Sequence, residues 1–164
     1  MTTRIYWDTG NKPDRKEVNI LASVAAELDS MIEKFPFLYS KAFPDPMELN
    51  IIMVDDLKIR ELNTNFREKN ESTDVLTFPF SSAPPHPGEI NTAEIYISVD
   101  TALRQSLGQK LTLIDELIIL TIHGFLHAFD YDHERSEKCS LEMKQHEQEI
   151  LNAIGSDKLI PLTN

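Results

Sequence analysis

With a single cysteine, Cys139, the 164-residue chain has no internal disulfide and no cysteine-based zinc cluster. Its opening segment, MTTRIYWDTGNKPDRKE, lacks the apolar stretch that a secretory signal requires. The longest strongly apolar run, Leu117 to Ile122, falls far short of the ~20 residues of a membrane span. Bases are scarce: 16 Lys and Arg stand against 27 Asp and Glu, for a formal net charge of −11 and a pI near 4.8. That balance argues against a general nucleic-acid coat protein, because phosphate contacts demand basic surface, and leaves room only for a local basic patch. There is no internal repeat, low-complexity segment or linker. These absences place the expected protein in the cytoplasm, as one domain over residues 1–164. At 41% hydrophobic and 26% charged residues, it has the composition of a globular chain able to bury a core.

The elements present are legible from period and punctuation. Val18, Leu21, Val24, Ala25, Leu28 and Ile32 recur at helical spacing and predict an amphipathic helix over about 14–34. LNIIMV (49–54) reads as a buried strand. Asp55 or Asp56 then caps a helix whose apolar face is Ile59, Leu62 and Phe66. DVLTFPF (74–80) reads as a strand, with Pro79, which cannot donate to a ladder, marking either a sheet edge or the strand's end. Residues 81–92 form a loop, and AEIYIS (93–98) alternates as another strand. Thr112 and Asp115 make a capping box before LIDELIILTIHGFLHAF, a run apolar nearly all round and therefore a buried central helix. Met143, Ile150 and Ile154 mark a last helix, about 138–154. The fold class is α+β: about four strands in a mixed sheet, packed against a central helix that carries histidines.

Three of the five histidines fall inside HGFLHAFDYDH, residues 123–133. On a helix, residues four apart differ by about 40° in direction and ~6 Å along the axis, so His123 and His127 can reach one ion. His133 comes back to them only if the chain turns first. Asp130 stands where the helix would end, and Asp tolerates the left-handed conformation such a turn needs. Three neutral imidazoles suit zinc, nickel, copper or iron, and leave a coordination position open, as catalytic zinc sites do. The spacing H-x3-H-x5-H is that of the metzincin peptidases. However, Gly124 stands where they carry their general-base glutamate, and Asp130 where they carry glycine, which argues against a peptidase. The competing readings are unrelated core or surface histidines, and a structural metal with Asp130, Asp132 or His146 as fourth ligand. His146 lies on the apolar stripe of the last helix and reads as a boundary histidine. His86, in a proline-rich loop, reads as solvated.

HGFLHAFDYDH resembles the H-G-x-L-H-L-x-G-Y-D-H signature of the YbeY family of bacterial endoribonucleases and ribosomal RNA maturation factors. Leu62-Asn63 through Phe66-Arg67, followed by Ser72-Thr73-Asp74-Val75-Leu76-Thr77-Phe78-Pro79, is similar to the family's L-N-x-x-Y-R and P-T-D-V-L-S-F-P. Ala93-Glu94-Ile95-Tyr96-Ile97-Ser98 looks like its G-D-I-x-I-S strand, and Glu116 stands seven residues before the first histidine, as in the family. The matches run in order over about 62–133. The departures are Asp130 for glycine, Ala93-Glu94 for Gly-Asp, Phe66 for Tyr and Ser72 for Pro.

The resemblance implies that His123, His127 and His133 bind one zinc, or another divalent transition metal, and that Arg67 is a catalytic phosphate ligand. It implies a single-strand-specific endoribonuclease acting on ribosomal RNA, in small-subunit 3′-end maturation and ribosome quality control. Ribosomal proteins or a ribosome-associated GTPase would be partners, and neither membrane nor DNA is expected. RNA supplies its own 2′-OH nucleophile, which is one reason Gly124 can replace a glutamate. Position alone also permits Arg67 to be a cation at a helix C-terminus. Asp132 is expected to orient an imidazole or to cap the turn, Thr73 and Asp74 to fix Arg67 or the strand end, and Glu116 to make a structural pair. Lys58, Arg60, Arg67 and Lys69, with Arg104 and Lys110, are the candidate basic patch. A ribosome-assembly factor with a structural metal, and a zinc hydrolase of another substrate class, are the alternatives.

Overall fold

In the computed structural model, which describes residues 1–39, 43–83, 85–132 and 136–155, the chain opens with a strand, Thr2–Asp8 (β1). Helix α1, Arg15–Lys34, follows and is closed at its start by a complete capping box between Asp14 and Glu17. A single turn, Pro36–Tyr39 (α2), leads to strand β2, Met47–Val54. Asp55 caps helix α3, Asp56–Arg67, by accepting from the Lys58 amide. Strands β3, Val75–Phe78, and β4, Asn91–Ser98, come next. Ser98 both ends β4 and caps helix α4, Val99–Gln109. Helices α5, Leu113–Ala128, and α6, Glu137–Gly155, complete the described chain. No single helix among the described residues is long and apolar enough to cross a membrane.

The sheet order is β1-β2-β4-β3, with β1, β2 and β4 parallel and β3 antiparallel at the edge. The expected mixed four-stranded sheet is therefore present. Its fourth strand is β1, within the N-terminal segment where no strand was placed, and α4 adds a helix right after β4. Strands β2 and β4 alternate buried and half-buried positions, so only one sheet face is fully covered. Leu49, Ile51, Met53, Ile95 and Ile97 on that face pack into one core with Leu21, Val24 and Leu28 of α1 and Leu117, Ile118 and Phe125 of α5. On the other face, α3 covers a smaller cluster of Val54, Ile59 and Leu76.

One expectation for α3 is corrected. Its buried positions are Ile59 and Asn63, whereas Phe66 is 64% exposed. Phe66 makes an edge-to-face contact with Phe78 of β3, at 5.0 Å between ring centroids.

The start of α3 is tied to α4 by polar contacts. Asp56 accepts hydrogen bonds from the Ser98 hydroxyl at 2.6 Å, the Thr101 hydroxyl at 2.7 Å and Arg104 Nη2 at 2.8 Å. Burial opposes ionisation of this carboxyl, but the three donors outweigh it and hold Asp56 below its ordinary value.

Candidate active site

Helix α5 ends by a mechanism visible in its hydrogen bonds. The Asp130 amide donates to the His127 carbonyl at 3.0 Å and the Tyr131 amide to the Leu126 carbonyl at 3.1 Å, the two bonds of a Schellman turn. Asp130 takes the left-handed position that turn requires, at φ +62°. The reversal expected there from sequence is thus formed. The Tyr131 hydroxyl then donates to the Phe37 carbonyl at 3.0 Å and anchors the returning chain.

Upstream of the turn, one helical step brings two imidazoles together: His127 Nε2 lies 3.1 Å from His123 Nε2. Two nitrogens bound to one tetrahedral zinc at 2.0–2.1 Å would lie about 3.3 Å apart. The pair, as imidazole nitrogen donors converging at that separation, fits a transition-metal ion. Among the described residues no group of three ligating side chains closes around an ion. His133, the expected third ligand, lies outside them, but Asp132 immediately before it lines the same cleft as His123 and His127. On its other side His123 Nδ1 is 2.5 Å from Glu147 Oε1 of α6, so this carboxylate holds an imidazole as Asp132 was expected to do.

The cleft has a volume of about 620 Å³. Its opposite wall is Arg67, Thr73, Asp74, Val75, Thr77 and Pro79. Arg67 arrives there because α3 stops abruptly. Glu68 adopts φ +59°, and its amide and that of Lys69 donate to the Thr64 and Asn63 carbonyls, each at 3.2 Å. The Asn63 side chain donates to the Glu71 carbonyl at 2.9 Å, folding residues 68–72 back toward β3. Arg67 is exposed and makes no hydrogen bond or ion pair with a described residue. Neither Thr73 nor Asp74 pins it. Asp74 instead accepts from the Val75 amide at 2.7 Å, from the Thr73 hydroxyl at 3.2 Å and from Gln105 Nε2 at 3.0 Å.

Two other expectations change, and the one for His146 holds. Glu116 is buried, and its Oε2 has no hydrogen-bond partner among the described residues, so the expected structural pair is not formed with any of them. Burial, and then the nearby Asp74 carboxylate, push its carboxyl up. His146 stacks on Phe37 at 3.6 Å between ring centroids and meets Tyr131 edge-on, as the boundary histidine it was expected to be. The basic patch is smaller than expected: Lys58 pairs with Glu61 and Arg104 with Asp56, whereas Arg60, which donates to the neutral Asn70 side chain, keeps its charge, as do Arg67 and Lys69.

Gly124 has a steric reason that sequence could not reveal. It faces the sheet rather than the cleft, and a Cβ built there would lie 2.5 Å from Ile95 Cγ2. A glutamate at this position would run into β4, whatever the chemistry requires.

Fold and site together define a class: an α+β domain with paired imidazoles on its core helix, across a cleft from an arginine that makes no hydrogen bond or ion pair with a described residue. A family model described as endoribonuclease YbeY matches residues 12–155. The chain belongs to that family. It is similar to the endoribonuclease YbeY of Leptospira biflexa, with 38% identity over 126 residues, covering 76% of this chain and 81% of the relative. The endoribonuclease YbeY of Agrobacterium fabrum is 34% identical over 142 residues, covering 85% and 83%. A protein of Thermotoga maritima solved in solution shares the fold over 99% of both chains, with a TM-score of 0.52 and 23% identity.

Proposed function

We propose that the chain, as one cytoplasmic hydrolase domain, is a metal-dependent endoribonuclease. Its substrate is single-stranded ribosomal RNA, cleaved in small-subunit 3′-end maturation and in ribosome quality control. The observation that carries this reading is the 3.1 Å approach of the His123 and His127 Nε2 atoms across the cleft from Arg67, in a chain of the YbeY family.

His123, His127 and His133 would hold the ion, zinc being the best match to an all-imidazole set. When bound, zinc supplies Lewis-acid stabilisation of charge and makes hydroxide available near neutral pH. The chain's own residues do the rest. The Arg67 guanidinium, uncommitted within the described protein, takes two oxygens of the scissile phosphate and stabilises the charge that grows on them during cleavage. The Thr73–Asp74 turn shapes the wall beside it, and the RNA's 2′-OH or water is the nucleophile. With Asp74, Asp130 and Asp132 lining the cleft against one arginine, binding of naked RNA is weak and salt-sensitive. Ribosomal proteins or a ribosome-associated GTPase therefore supply much of the recognition.

The test is the zinc content of wild type and His127→Ala, measured with cleavage of a single-stranded RNA. One zinc per chain, with metal and cleavage both lost in a folded variant, is expected. Zinc without cleavage in the wild type would instead favour an assembly factor with a structural metal.

A further inference from the structure

Glu147 occupies an unusual position on α6. At 100° per residue, Met143, Glu147, Ile150 and Ile154 fall within a stripe about 60° wide, and the three apolar members are all buried. Pattern alone calls for an aliphatic residue at 147. A carboxylate placed there must find a partner or bear the cost of desolvation. Its partner is His123 Nδ1, at 2.5 Å, and both side chains are about three-quarters covered. The next carboxylate along the helix toward its start, Glu142, lies beside His146 instead.

Building on the metal reading above, we propose that Glu147 is a positioning residue for His123. Its carboxylate accepts the Nδ1 proton, fixes the neutral ring in the tautomer with hydrogen on Nδ1, and so presents the Nε2 lone pair toward His127 Nε2. Two consequences follow from the geometry. The His123 ring is held before any ion arrives, because α6 grips it from outside the cleft. The carboxylate is placed as outer-sphere acceptors of metal-binding histidines are, and loss of such an acceptor typically weakens metal binding about 10- to 100-fold. Helix α6 thereby acquires a role beyond closing the core, although it contributes no side chain to the cleft wall described above.

Two measurements on the full chain test this. The first is the tautomer of His123 in zinc-free protein near pH 8, read by long-range nitrogen–proton NMR. The second is the zinc dissociation constant by chelator competition. Wild type should show hydrogen on Nδ1. Glu147→Ala should show a mixed or reversed tautomer and bind zinc about 10- to 100-fold more weakly. Glu147→Gln keeps an acceptor oxygen without the charge, so it should retain the wild-type tautomer with an intermediate affinity. A Glu147→Ala protein with the wild-type tautomer, or with unchanged zinc affinity, overturns the proposal. If wild type takes up no zinc, the metal reading falls, and the tautomer comparison alone decides whether Glu147 holds the ring.

Discussion

Replacing Gly124 with alanine sets two effects of opposite sign against each other. Alanine is favoured over glycine inside a helix by about 1 kcal/mol, so propensity alone predicts a more stable protein. The surroundings of Gly124 predict otherwise. The new methyl would sit 2.5 Å from Ile95 Cγ2 and 3.3 Å from both Ile95 Cδ1 and Thr77 Oγ1. Carbon atoms pack best at about 3.5–4.0 Å, so α5 and β4 must separate by about 1 Å, or Ile95 must leave its rotamer. Ile95 is fully buried and β-branched, which leaves it little freedom to turn. Overpacking of this kind costs about 1–3 kcal/mol. The net expectation is a loss of about 1 kcal/mol, or about 3–4 °C in Tm for a domain of this size.

Gly108, in α4, is an internal control. It is exposed, and a Cβ there meets nothing within 4 Å, so Gly108→Ala should stabilise by up to about 1 kcal/mol. Urea and thermal unfolding of both variants read the two signs directly. If Gly124→Ala stabilises the protein as Gly108→Ala does, the packing argument is wrong. A double-mutant cycle with Ile95→Ala should further show favourable coupling, because removing Cγ2 removes the clash.

Asp130→Gly relieves a left-handed residue worth about 1–2 kcal/mol and gives back about 0.5–1 kcal/mol of backbone entropy, so the urea midpoint should rise at constant m-value; a lower midpoint would contradict the turn assignment. Glu116→Gln should change the pH profile of stability. Because the folded-state value of Glu116 is raised, the folded protein holds more protons than the unfolded chain above about pH 4, and wild-type stability falls there as pH rises. The Gln variant should gain on wild type from about pH 4 upward, and parallel profiles would exclude this account. Arg67→Lys keeps the charge but not the fork, so RNA cleavage should drop about 100-fold or more while Tm stays unchanged; retained activity would remove Arg67 from phosphate binding.

Much of this was legible in the sequence, and the failures have identifiable causes. The capping box at Thr112 and Asp115, the apolar run behind it and the i, i+4 histidines gave α5 and its paired imidazoles, because helical geometry is local. Strand β1 was hidden because it is an edge strand in which no residue is fully buried, so Thr2, Arg4, Tyr6 and Asp8 mask Ile5 and Trp7. Helix α4 was hidden because it starts at Ser98 with no intervening turn, and its Leu103 and Leu107 point outward. Arg67 was singled out by family resemblance, and its meeting with the cleft depends on a C-cap at Glu68 that carries no glycine signal. Glu147, 24 positions from His123, could have been found as a charge on an apolar stripe, but its partner is fixed only by the packing of α5 against α6.

Helix α5 carries the site and the core on the same sixteen residues. Its amides should therefore exchange with solvent only when the whole domain opens, while the rim formed by α3's last turn and the 68–74 return exchanges by local fluctuation. This partition also sets where the protein can drift. Residues flanking His123 and His127 are constrained twice, by the contents of the cleft and by contact with the sheet. New substrate preferences are thus more readily acquired on the arginine side, where a substitution disturbs one function at a time.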